Sequence, residues 1–137
     1  NRFYNDAIRY LDEAEKRNPH FTGIWDLRAR LYYSVNDIIL PDGQEQSAIL
    51  LQKIIDANPL SVNSRIGLAN IYKQQMEFQK AHEILEEGLR WPRPKVQSEL
   101  DLMLLASQSR KQMGDIKGHD ELITEATARA KDYGLLN

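Results

Sequence analysis

Residues 62–93 read VNSRIGLANIYKQQMEFQKAHEILEEGLRWPR. Arg65, Leu68, Ala69 and Tyr72 recur at three- and four-residue steps, and Phe78, Ala81, Leu85 and Gly88 then do the same. That spacing is the signature of two amphipathic helices. The polar link Gln74-Gln75-Met76-Glu77 joins them, and Pro92 and Pro94 stop the second. Neither run is long enough to bury its apolar face alone. Similar runs stand on both sides, and self-similarity at a period of about 20 to 50 residues marks a stacked helical array.

Working outward, the pattern predicts seven helices. The first spans 3–17, with Phe3, Tyr4, Ala7, Ile8, Leu11 and Ala14 on one face, and Asn18-Pro19 ends it because the residue before proline avoids helical backbone. The second spans about 23–35, with Thr22 as N-cap and Trp25, Ala29 and Tyr32 on its packing face. A link over 36–44 holds the turn Pro41-Asp42-Gly43. The third spans about 45–57 and stops at Asn58-Pro59. The fourth, about 62–75, has Ser61 as N-cap, and the fifth spans about 78–91. The sixth, about 96–113, ends at Gly114, and Asp115 caps the seventh, about 116–133, which ends at Gly134. Gly67 and Gly88 fall inside helices, where close packing is the reason to expect glycine. Trp91-Pro92-Arg93-Pro94 reads as a helix stop with a kinked connection rather than a proline-rich ligand.

The helices fall on one template. Ala7-x3-Leu11-x2-Ala14-x4-Pro19 aligns with Ser47-x3-Leu51-x2-Ile54-x4-Pro59 and with Ala81-x3-Leu85-x2-Gly88. Trp25-x2-Arg28-Ala29-x2-Tyr32 aligns with Arg65-x2-Leu68-Ala69-x2-Tyr72. This resembles the tetratricopeptide repeat, a unit of about 34 residues reading W-x2-L-G-x2-Y, then A-x3-F, then P. The resemblance implies an all-α fold, a right-handed α-α superhelix of helix pairs. It places the second half of a repeat at 1–21 and repeats at about 22–61, 62–95 and 96–137. The spacing is uneven. Six extra residues sit around Asn36 to Gln44, four more belong near Pro92 to Gln97, and in the last unit His119 stands where Ala is usual. The chain therefore starts inside a repeat, so either the parent protein continues upstream or another chain covers that face. Neither end shows an obvious polar cap, since Phe3-Tyr4 and Leu135-Leu136 are apolar.

Composition narrows the function. The 137 residues are 42% hydrophobic and 28% charged, which suits one folded domain. A formal charge of −2 argues against nucleic acid or an anionic membrane as partner. No apolar run is long enough to insert into a membrane. The opening Asn1-Arg2-Phe3-Tyr4 is not a signal peptide, and the missing initiator Met suggests a fragment. With no cysteine there are no disulfides and no thiol chemistry. His20, His82 and His119 lie in different units without ligand spacing, and His82-Glu83-x2-Glu86 lacks the second His of a zinc-protease helix. His82 is expected to be exposed. The glycines form no phosphate loop and no serine sits in a nucleophile elbow. Asp12 and Lys16, four residues apart, are expected to pair on a solvated face. No catalytic constellation, metal site or cofactor is expected. Ile38-Ile39-Leu40 in the inserted link is expected to fold back onto the helices.

The resemblance also implies a binding face, lined by the first helix of each pair. It would present Asp26, Arg30 and Tyr33, then Asn63, Ile66, Asn70, Lys73 and Gln74, then Leu104, Gln108 and Lys111. Side-chain amides among basic residues suit an extended peptide, because they pair with a bare backbone. One family variant clamps the terminal carboxylate of chaperone tails with Lys and Asn one turn apart. Here Asn70 keeps the Asn place but Ile66 replaces the Lys. The expectation is a protein-interaction scaffold, binding a protein or peptide. The alternatives are a structural segment that self-associates through uncapped ends, or a soluble accessory domain of a bacterial envelope or polysaccharide-assembly enzyme. The compartment would be the cytoplasm or the periplasm.

Overall fold

Every expected helix forms in the computed structural model, which describes residues 2–92 and 96–136, and no boundary moves by more than two residues. The helices are α1 (Arg2–Arg17), α2 (Thr22–Ser34), α3 (Gly43–Ala57), α4 (Val62–Gln74), α5 (Phe78–Leu89), α6 (Val96–Gln112) and α7 (Ile116–Asp132). Among the described residues there is no strand; a lone bridge joins Asn36 and Leu40. The connection expected to kink at Arg93 and Pro94 lies outside the described residues. The chain divides into two compact units, Asn1–Asn58 and Pro59–Asn137.

In the first unit α2 and α3 form a close pair. Trp25 and Ala29 of α2, and Leu51, Ile54 and Ile55 of α3, are buried. Ser47, which aligns with Ala7 and Ala81 in the template, is also buried. Lys53 lies over the Trp25 ring at 4.1 Å, a cation–π contact of the kind that contributes roughly 0.5–1 kcal/mol when exposed. Gly43 begins α3 where the chain passes the end of α2. A Cβ there would stand 2.3 Å from the Tyr32 carbonyl oxygen, so a side chain cannot be fitted without moving backbone. The helix α1 packs on α2 and has no fully buried residue. Its Asp12 does not pair with Lys16 as expected. Instead Arg28 of α2 reaches Asp12 at 2.9 Å and Glu15 at 3.0 Å, because a buried guanidinium needs carboxylates more than a solvated lysine does.

The inserted link is ordered by local bonds. The Val35 carbonyl accepts from the backbone N–H of Ile38, Ile39 and Leu40, and Asp37 takes φ 61°. The Asn36 side chain accepts from the N–H of Gln44, so the insertion caps α3. Ile39 and Leu40 fold back and are half-buried, but Ile38 is 81% exposed and departs from the expected fold-back.

In the second unit α4, α5, α6 and α7 pack in sequence, and α4 also meets α6. One apolar cluster runs through all four: Val62 and Ala69, then Ala81 and Leu85, then Leu102, Met103 and Ala106, then Leu122, Ala126 and Ala130. Leu85 and Leu102 have no exposed surface, and full burial of such a side chain is worth about 2 kcal/mol. Gly88 is a packing glycine, as expected for a helix interior. A Cβ there would meet Arg65 Cδ at 2.8 Å. The free face of α7 carries Lys117, Asp120, Glu121, Thr124, Glu125 and Lys131, all exposed. Leu135 and Leu136, just past this helix, are exposed as well.

The helix ends explain the turns. After α4 the Glu77 N–H bonds the Tyr72 carbonyl and the Met76 N–H bonds Lys73; after α6 Asp115 bonds Arg110 and Gly114 bonds Lys111. Both ends have the paired bonds of a Schellman stop, with Met76 at φ 61° and Gly114 at φ 88°. Asp115 caps α7, its carboxylate accepting from the Gly118 N–H at 2.8 Å. Two other expected caps differ. Thr22 is the first residue of α2, whose N-cap is Phe21, and Ser61 sits at the N-cap of α4 but its hydroxyl bonds the Ser64 hydroxyl at 2.9 Å.

Candidate functional site

The residues expected to line a binding face can be placed helix by helix. On α4, Asn63, Ile66, Asn70, Lys73 and Gln74 fall at three- and four-residue steps, so they share one stripe. Asn63, Asn70 and Gln74 are exposed, while Ile66 and Lys73 are half-buried. Ile66 rests against the apolar cluster, which anchors the stripe. The opposite side of α4 is buried through Arg65, Leu68 and Ala69. On α6, Leu104, Gln108 and Lys111 form a second stripe and all three are exposed. In the first unit, Arg30 and Tyr33 are exposed on α2, and Arg30 pairs with the half-buried Asp26 at 2.9 Å.

The electrostatics differ along these stripes. Burial depresses the Lys73 ammonium below the ordinary lysine value of 10.5. Neither Lys73 nor Lys111 forms an ion pair with a described residue. Arg28, by contrast, is saturated. Burial alone would depress it, but bonds to Tyr32 and Asp12 outweigh that and hold it above its ordinary value.

The polar groups that sequence reasoning undervalued are buried supports for this surface. Arg65 is 1% exposed. It donates to the Pro59 carbonyl from Nε at 3.2 Å and from Nη2 at 3.0 Å, and from Nη1 to the Ile84 carbonyl at 3.3 Å. Glu87 lies 3.6 Å away. The Arg at the aromatic place of the template was the visible signal. Glu99, buried on α6, is held by Arg129 and accepts from Tyr133 at 2.8 Å. His82 is half-buried rather than exposed, with Nδ1 3.0 Å from Ser109 Oγ on α6, and His119 Nδ1 lies 2.9 Å from the Ser107 carbonyl. Arg110 joins Glu86 at 3.0 Å to the Gly118 carbonyl at 3.0 Å. Each of these groups ties its helix to a neighbouring one. Among the described residues no group of acids and histidines has the arrangement of a metal site, and no helix is long and apolar enough to cross a membrane.

Solved structures share this arrangement of helices. One described as MamA MSR-1 C2 superposes with a TM-score of 0.63 over 95% of this chain and 69% of its own, at 17% identity. A crystal structure of MamA superposes with a TM-score of 0.57 over 97% of this chain and 92% of its own, at 14% identity. MamA contains tetratricopeptide repeats. The fold is tetratricopeptide-like. At such identities the likeness concerns the fold, seven helices packed in consecutive pairs. No family model matches the chain. No curated protein matches it in sequence.

Proposed function

We propose that this chain is a protein-interaction module that takes an extended peptide or protein segment along the α4 and α6 stripes, and that it works as a scaffold rather than an enzyme. The observation that carries this is the division of labour on α4. One side is committed to the core through Leu68, Ala69 and Arg65, while the other presents exposed Asn63, Asn70 and Gln74 beside a half-buried Lys73. Primary amides both donate and accept, so they pair with a peptide backbone of any sequence. The family habit of binding partners on first helices, and the likeness in fold to MamA, support the same reading. The test is capture of partners by the wild-type chain and by the double variant Asn70→Ala plus Lys73→Ala. The proposal expects the double variant to lose most of the captured protein. Capture of every partner at wild-type levels would move the binding surface elsewhere.

A second reading has its own observation. Phe3 is 78% and Tyr10 64% exposed, seven residues apart on one side of α1, a helix with no fully buried residue. Aromatic surface of that kind favours self-association or stacking on further repeats. Sedimentation of the wild type against Phe3→Ser plus Tyr10→Ser distinguishes it. A concentration-dependent oligomer lost in the variant supports the reading, and a monomer at all concentrations refutes self-association.

A further inference from the structure

We infer that the segment bound on the α4 and α6 stripes is acidic, with aliphatic side chains set back from its carboxylates; this rests on the reading above that a peptide lies on these stripes. The two helices are in register at a separation of 38 residues: Met76 and Gly114 are both at positive φ, and Glu77 and Asp115 are both N-caps. In that register Ile66 matches Leu104, Asn70 matches Gln108 and Lys73 matches Lys111. Each stripe therefore sets apolar, amide and cation in the same order, after Asn63 on α4 and its match, half-buried Asp101, on α6. Because α4 and α6 touch, the repeated triplet makes three short rows across the pair. The amide row is indifferent to side-chain identity. The outer rows are not, since one accepts an aliphatic group and the other requires an anion.

Charge fixes the class of partner. Lys73 and Lys111 lack ion-pair partners among the described residues. Lys73 carries the cost of partial desolvation without compensation, shown by its depressed ammonium. An incoming carboxylate repays that cost, and a lysine-rich segment would add to it. The place equivalent to Lys73 in the first unit makes no such demand, because Tyr33 stands there and carries no charge. A phosphate backbone is a poorer occupant, since it calls for a broad basic surface and this chain has a net charge of −2.

The test titrates the whole chain with three labelled synthetic peptides of alternating Asp–Leu, Asn–Leu and Lys–Leu, read by fluorescence anisotropy. The Asp–Leu peptide is expected to bind about tenfold tighter than Asn–Leu, and Lys–Leu weakest of the three. Lys73→Met and Lys111→Met should each cost the Asp–Leu peptide about threefold and leave Asn–Leu unchanged, with unaltered circular dichroism. Asn70→Ala should weaken Asp–Leu and Asn–Leu alike. Equal affinity for Asp–Leu and Asn–Leu, or a preference that survives both lysine variants, overturns the acidic partner. The binding face itself stands in that case if Asn70→Ala still weakens both peptides. Binding indifferent to Asn70→Ala and to both lysine variants overturns the face and the inference together. A dimer of the free protein that dissociates in Lys73→Met would seat a second copy on these stripes and likewise overturn the inference.

Discussion

The first and second units solve the same packing problem with opposite residues. At the aromatic place of the template the first unit has Trp25 and the second has Arg65; three residues on, the first has Arg28 and the second Leu68. Trp25 fills its place with ring surface, but its buried indole N–H has no hydrogen-bond partner among the described residues. Arg65 fills the equivalent place with a guanidinium bonded to two backbone carbonyls. Arg28 then answers carboxylates on α1, whereas Leu68 has no polar duty. The template thus asks for volume at these places, and polarity is admitted wherever a neighbouring helix offers a partner. A buried charge kept in this way costs stability only when its partners are lost.

Breaking the second unit's solution should have the largest effect. Arg65→Ala leaves the Pro59 and Ile84 carbonyls without their donor and opens a cavity beside Gly88. We expect a loss of about 3 kcal/mol in denaturant unfolding, with faster amide exchange in α4 and α5. Arg28→Leu installs the second unit's residue in the first. Its partners Asp12 and Glu15 remain partly exposed and can rehydrate, so the loss should stay near about 1 kcal/mol. A loss equal to that of Arg65→Ala would erase the contrast between the two sites.

Met76→Gly sharpens the comparison from the other side. It gives the α4 stop the residue that the α6 stop already has, at a φ of 61° that strains any Cβ. The gain in thermal unfolding should be about 0.5–1 kcal/mol after the extra flexibility of glycine in the unfolded chain is subtracted. Lys73→Met should have the smallest effect on stability at neutral pH, in the stabilising direction. Its clearer mark is in the pH profile. The native lysine value is depressed, so between it and 10.5 the unfolded chain holds more protons and wild-type stability rises with pH. That alkaline rise should vanish from urea midpoints of the variant.

The helices were legible because proline, glycine and apolar period all mark the same boundaries. Met76 at positive φ was half legible, since Met76-Glu77-Phe78 leads into α5 as Gly114-Asp115-Ile116 leads into α7, although methionine's own chemistry does not suggest such backbone. The cap from Asn36 was not legible. Nothing in the string of the inserted link indicates that its side chain turns toward Gln44. His82 reads as a solvated residue beside Glu83 because its partner, Ser109, lies on another helix. For the proposed binding face, it was the family resemblance that singled out Asn63, Asn70 and Gln74, and all three are exposed. Partial burial of Lys73 depends on neighbouring helices and has no local sequence mark.

Amide NMR of the labelled chain during titration with the Asp–Leu peptide tests the binding face most directly. Shifts concentrated between Asn63 and Gln74 and between Leu104 and Lys111 are the predicted result. Shifts centred on the outward faces of α5 and α7, with those two stretches unmoved, would contradict it.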